Sequence, residues 1–197
     1  MITATARSGI ALLLFFLITA CASVVSDHPL LSNAPKAYPL GDHLSYDIKI
    51  DGEQFNAGKN GPSKLQLYLK DREYIGTLIQ DAATATQPVK SSGTINIAFS
   101  RVNSNRFITQ VGNNGKVSYL FTDVEPDGTV YLFDHGCDKL SKDILAKMNL
   151  KIIHTKTDTG ENEVSCEVRS FDDLRNLADY VFMVRPIDKS IVFQPTD

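Results

Sequence analysis

The sequence has no tryptophan, only three cysteines among 197 residues, and no run of basic residues. Without clustered Lys and Arg there is no electrostatic footprint for a nucleic-acid backbone, so nucleic acid is excluded as a main partner. After residue 20 no apolar stretch reaches the ~20 residues that a helix needs to cross ~30 Å of hydrocarbon. No Gly-x-Ser-x-Gly, His-Glu-x-x-His, P-loop or dinucleotide fingerprint is present, so no stretch names a reaction. No catalytic residue, metal ligand or cofactor is assigned, and the expectation is a protein that is not an enzyme.

What is present begins with Arg7, an apolar run from Ile10 to Ala20, and Cys21. The run is too short for a normal span and reads as the h-region of a cleaved export signal covering residues 1–20. Ile18-Thr19-Ala20-Cys21 resembles the bacterial lipobox. The resemblance implies cleavage before Cys21, lipidation of its thiol and acylation of its amine, and more than one acyl chain anchors durably. Ala22, rather than Asp, follows the cysteine, a pattern that implies sorting to the outer membrane, with the periplasmic face favoured. The expected partner at this end is the membrane itself, through the lipid.

Removal of residues 1–20, which hold one basic residue and no acid, leaves 19 basic and 23 acidic residues, a net charge of −4. It also leaves Cys137 and Cys166. An even pair in an exported chain suggests a disulfide, which would stabilise by about 3 kcal/mol in the chain-entropy model. Two buried thiols or a metal pair are the alternatives, although the spacing lacks the close ligand pairs of a zinc site.

Pro29, Pro35 and Pro39 mark residues 21–40 as a semi-extended tether. From residue 41 to 197 a single β-rich domain is expected. Leu44–Ile50 alternates and ends at Asp51-Gly52. Leu65, Leu67 and Leu69 share one face of a strand whose partner is Tyr74–Gln80. Residues 53–63 and 81–92 are polar and read as loops. Ile95, Ile97 and Phe99 open a meander through Arg106–Val111, Lys116–Val124 and Thr129–Phe133, with turns at Asn103-Ser104-Asn105, Gly112–Gly115 and Glu125-Pro126-Asp127-Gly128.

Leu140, Ile144, Leu145 and Met148 fall on one face of a helix capped by Asp138 or Ser141. Ser170 and Asp173 resemble a capping box opening a second helix with Leu174, Leu177 and Ala178. Lys151–Thr155, Glu163–Val168, Tyr180–Val184 and Ile191–Phe193 read as further strands. So many short antiparallel strands with two helices favour a small barrel or half-barrel, since closure removes exposed edges. A two-sheet sandwich is the alternative.

The mature chain resembles a group of uncharacterised bacterial lipoproteins. The likeness rests on Ser26-Asp27-His28-Pro29-Leu30, on Tyr119-Leu120-Phe121 before an acidic turn, on Val130-Tyr131-Leu132-Phe133, and on the helix ending at Leu150-Lys151. In outline it is similar to lipocalin-like barrels, although the Gly-x-Trp that opens many of their first strands is absent. The family brings no activity to carry over.

Asp123-Val124-Glu125-Pro126-Asp127-Gly128 with Asp134 has the oxygens of a calcium loop, but Glu125 and Pro126 fit it poorly and a hairpin turn explains the same residues. Asp158-Thr159-Gly160 has the letters of an aspartic-protease triplet in the setting of a turn. Asp27-His28, Asp42-His43 and Asp134-His135 are neighbours that a strand would point apart, and His154 stands alone. The expected role is an anchored module binding a small apolar ligand at the barrel interior or mouth. A packed scaffold touching an envelope protein through its loops is the alternative, with Phe99, Phe107, Tyr119, Phe121 and Phe133 then filling the core.

Overall fold

The computed structural model describes residues 24–41, 43–55, 63–80, 91–112, 117–133, 136–156 and 162–196. Cys21, Asp42, Asp134, His135 and Asp158–Gly160 lie outside the described residues. The strands are β1 (Val24–Ser26), β2 (Lys36–Ala37), β3 (His43–Ile50), β4 (Glu53–Gln54), β5 (Ser63–Lys70), β6 (Glu73–Gln80) and β7 (Ser91–Arg101). They continue with β8 (Arg106–Gly112), β9 (Val117–Val124), β10 (Val130–Phe133), β11 (Lys151–Lys156), β12 (Asn162–Glu167) and β13 (Ile187–Pro195). Two helices, α1 (Lys142–Lys147) and α2 (Phe171–Val184), lie among the last of these.

Turn chemistry builds the hairpins. Asp71 and Arg72 both have positive φ, 50° and 66°, the conformation of a two-residue turn whose twist matches the flanking strands. They join β5 to β6 over eight paired positions. Between β9 and β10, Gly128 adopts φ 86° and donates its N–H to Glu125 O at 2.9 Å. The calcium-loop letters are therefore a hairpin turn. Asp127 accepts from the Thr129 N–H, and this bond lowers the pKa of its carboxyl.

Neighbour order runs β10-β13-β3-β5-β6-β7-β8-β9, and β9 pairs back onto β10. The result is a closed, eight-stranded antiparallel barrel of lipocalin-like kind. Closure leaves no edge in the barrel wall, as the strand count led one to expect.

β9 carries more than its place in the wall. One edge pairs with β8 throughout. Its other edge is divided: Val117–Tyr119 pair with β1, and Thr122–Val124 pair with β10. Beyond β1 the sheet continues through β12 to β11. Every residue of β9 is buried, because the two faces meet different cores. Leu120, Thr122 and Val124 face the barrel interior. Val117, Tyr119 and Phe121 face outward and pack with Leu174, Leu177, Ala178, Val181 and Phe182 of α2. Phe182 sets its ring edge-on against Phe121 at 5.9 Å and against Phe133 at 4.9 Å.

Two sequence expectations change here. Tyr180–Val184 is the last turn and a half of α2 rather than a strand. Apolar residues at Leu174, Leu177, Ala178, Val181 and Phe182 keep the helical spacing, and that outweighs the short β-branched and aromatic run. The segment read as a tether is also built into the domain from Val24 onward. Val24 is wholly buried between β9 and β12, Leu31 and Leu40 are buried, and β2 pairs with β7. Tyr119 Oη accepts the Leu30 N–H at 2.8 Å, and Gln110 Oε1 accepts the Leu31 N–H at 3.0 Å. The prolines mark bends in a bound strap.

The helix caps stand as read. Ser141 Oγ accepts the Ile144 N–H, and Ser170 Oγ accepts the Asp173 N–H at 3.1 Å. At the other end of α2, Arg106 donates to Phe182 O at 2.8 Å, supplying a partner to a helix-end carbonyl. Its guanidinium lies over the Phe133 and Phe182 rings and 3.6 Å from Asp123. Burial, with Glu125 nearby, raises the Asp123 carboxyl above the ordinary carboxylate range against the pull of Arg106 and Asn105. Cys137 and Cys166 are bonded, with Cα atoms 5.7 Å apart, and both are buried in the outer core. The bond staples the turn at Cys137–Lys139 to the strand that holds β1.

Phe121→Ala is expected to cost about 3–5 kcal/mol in urea unfolding, whereas Gln66→Ala on the exposed face of β5 should change stability by less than about 0.5 kcal/mol. Replacing both Cys137 and Cys166 by Ala should lower the unfolding free energy by about 3 kcal/mol, read from the same curves.

Candidate ligand cavity

Inward-facing side chains of the eight barrel strands do not fill the space they enclose. They separate into one group at the end where β5 turns into β6 and a smaller group, Val111, Leu120 and Leu132, toward the opposite end. Between them lies a cavity of about 80 Å³. Its wall is Leu, Ile, Val and Phe from seven of the barrel strands. Leu40 and Tyr46 add to it, and Thr109 and Thr122 are its hydroxyls.

Those two threonines sit diagonally across the β8–β9 ladder, Thr109 facing Leu120 and Thr122 facing Phe107, and their hydroxyls bond at 2.8 Å. The Thr122 hydroxyl also lies 3.4 Å from Phe107 O. With the two threonine hydroxyls bonded to each other, the cavity offers little to a water, which needs two to four polar partners. No charged side chain lines it. Its chemistry is that of a site for an apolar group.

One end is closed. Tyr74, Phe99 and Phe107 meet edge to face, with centroids 5.6 and 6.1 Å apart. Leu40, arriving on the N-terminal strap, covers them and donates its N–H to Tyr74 Oη at 3.2 Å. Lys36 and Glu73 fasten that strap at 2.9 Å. Toward the other end, Ile50, Ile95 and Ile191 point inward yet stay only half-buried. They form an apolar lip where β3 finishes. Gly76 tightens the wall between, since a Cβ there would meet Ile95, Leu67 and Ile97 side chains at 3.0–3.3 Å.

The aromatics expected as core filling are divided by this geometry. Phe99 and Phe107 plug the barrel floor, whereas Tyr119, Phe121 and Phe133 lie outside the barrel under α2. The cavity residues themselves were not singled out in the sequence. Their only signal was alternation, which marks a face as buried without saying whether that face is filled. Asp27 and His28 do touch through Oδ1 and Nδ1, and the contact lowers the Asp27 pKa. Both side chains are exposed, and His154 is exposed on β11, so these groups do not converge with one another. Among the described residues no three His, Cys, Asp or Glu side chains stand at metal-binding spacing.

Fold and cavity together define a small closed β-barrel with an apolar interior cavity. Comparison of the chain with protein-family models, with curated proteins and with solved structures returned no match.

Tyr46 forms part of the cavity wall near its floor. Its hydroxyl lies near Gly128, 3.9 Å from where a Cβ on that residue would stand, and has no hydrogen-bond partner among the described residues. Burial pushes its pKa well above the usual phenol value. Tyr46→Phe is therefore expected to raise unfolding free energy by about 1 kcal/mol by removing an unsatisfied buried donor, measured by urea denaturation.

Proposed function

We propose that this chain is a bacterial envelope lipoprotein, held on the outer membrane by lipid on Cys21, whose barrel is a non-catalytic module for a small apolar ligand. The observation that carries the binding reading is the cavity inside a closed barrel, lined by aliphatic side chains and Phe with only two mutually bonded threonines and Tyr46 among them. Small barrels take ligands at the interior and mouth.

The dimensions narrow the ligand. The cavity is several times the roughly 10–15 Å³ that one water needs, and smaller than the roughly 150 Å³ apolar cavity that takes up benzene. It suits the end of an alkyl chain, with the remainder of the molecule crossing the lip at Ile50, Ile95 and Ile191. Each methylene taken from water contributes about 0.8 kcal/mol. Specificity on this reading is for shape and apolarity, since no charged wall residue selects a head group. The anchoring half rests on the lipobox, and a durable anchor suits a carrier that exchanges apolar cargo with a membrane.

The test is isothermal titration with 1-octanol, a single chain with a neutral head. Saturable one-to-one binding is expected, and Val111→Phe, which projects into the cavity, should weaken it by at least about ten-fold, or 1.4 kcal/mol, without lowering the thermal midpoint. Equal affinity in Val111→Phe, or no saturable heat in the unaltered chain, would overturn the reading.

A further inference from the structure

We infer that the C-terminal end of α2, presenting Met183 and Val184, is the face that the domain lays against a lipid bilayer. The inference rests on the reading of Cys21 as the lipidated residue. α2 is amphipathic, and its other large aliphatic residues are buried. Met183 and Val184 are 77% and 46% exposed and are the only large aliphatic side chains so exposed among the described residues. Isolated exposed apolar residues are ordinary on a protein surface. The position of these two relative to the anchor is what gives them meaning.

Residues 21–23 can span no more than about 11 Å in any conformation. A lipid on Cys21 therefore keeps the bilayer surface near Val24, within that distance plus the reach of the cysteine side chain and its glyceryl link. Val24 is not at the end of a loose tail, because it is fixed in the sheet opposite Tyr119 on one side and Cys166 on the other. Two short chains of contact run from there to the end of α2. Phe121, two residues beyond Tyr119 in the direction from which the chain arrives, packs its ring on Phe182. Cys166 is bonded to Cys137, and Lys139, two residues further, accepts from Arg185 through its carbonyl at 3.0 Å. Phe182 and Arg185 are the residues on either side of Met183 and Val184.

The anchor and the exposed aliphatic pair thus share one side of the molecule, and the lipid holds them at the same surface. The mature chain carries a net charge of −4, so attraction to anionic lipid does not supply the contact. Met183 and Val184 supply it by entering the interface, so the contact does not require anionic lipid. β5 is four strands from β9 in either direction around the barrel. Tyr68, outward-facing and 38% exposed there, points away from the bilayer in this arrangement.

The absence of tryptophan makes the test direct. The full chain is expressed with its signal, and Met183→Trp and Tyr68→Trp variants are reconstituted in phosphatidylcholine vesicles with acyl chains brominated near the head group. Intact mass and vesicle flotation first establish lipid on Cys21. The Met183→Trp emission should shift to the blue and lose roughly half its intensity, as expected for a side chain about 5–10 Å into the interface, while the Tyr68→Trp emission stays that of a solvated indole. A chain with no lipid that fails to float would overturn the lipoprotein reading and this one together. A lipidated chain that floats, with Met183→Trp unquenched or both probes quenched alike, would overturn the face assignment alone.

Discussion

Strand β9 has to be buried on both faces, and the rest of the molecule is arranged to bury it. A strand in a closed barrel ordinarily shows one face to the interior and the other to water. Here the outward residues Val117, Tyr119 and Phe121 are as fully buried as the inward Leu120 and Thr122. An outer layer is required to cover them. α2 supplies it with five buried side chains, β1 and β12 extend the sheet beneath it, and the Cys137–Cys166 bond closes its margin. The divided edge of β9 is where the barrel and this outer layer become one sheet.

This division lets the two halves do different work. The outer core is filled by rings and aliphatic side chains packed on α2, and it holds the N-terminal strand rigidly. The barrel interior is packed at its floor and, by a smaller group, toward its other end, with the cavity between. Stability concentrated in the outer layer and the aromatic plug leaves the middle of the barrel free to stay hollow, where Thr109 and Thr122 satisfy each other rather than a solvent molecule. The strap from Leu30 to Leu40 joins the halves, bonded to Tyr119 and Gln110 at one end and to Tyr74 at the other.

Much of this was legible in the sequence because turns and caps are local. Glu125–Gly128 and the alternation of Leu65, Leu67 and Leu69 each specify their own geometry, and Ser141 and Ser170 cap the helices that follow them. The barrel followed from strand number, and the disulfide from cysteine parity. The unbroken apolar run Val117–Phe121 was visible too, but its meaning is not local. Burial on both faces depends on a helix some fifty residues later. Tyr180–Val184 was misread because a short β-branched and aromatic run fits both periods, and only its continuity with Leu174, Leu177 and Ala178 decides. The strap was misread for a related reason. Prolines indicate an extended, non-repeating backbone and do not say whether it is bound. The cavity was not legible at all, since alternation gives the direction of a side chain, and a void depends on how eight strands' worth of side chains meet.

A barrel kept hollow for an apolar cargo should carry that cargo through gentle purification, and native mass spectrometry would detect it. The chain would be exported with Cys21→Ser, purified without detergent and sprayed from volatile buffer. A reproducible mass excess that disappears on denaturation and is recovered as a molecule with an alkyl chain is the expected result. A bare mass, two hydrogens below that of the reduced chain and unchanged after incubation with lipid extract, would contradict it and leave a disulfide-stapled barrel whose surface, not its interior, meets its partner.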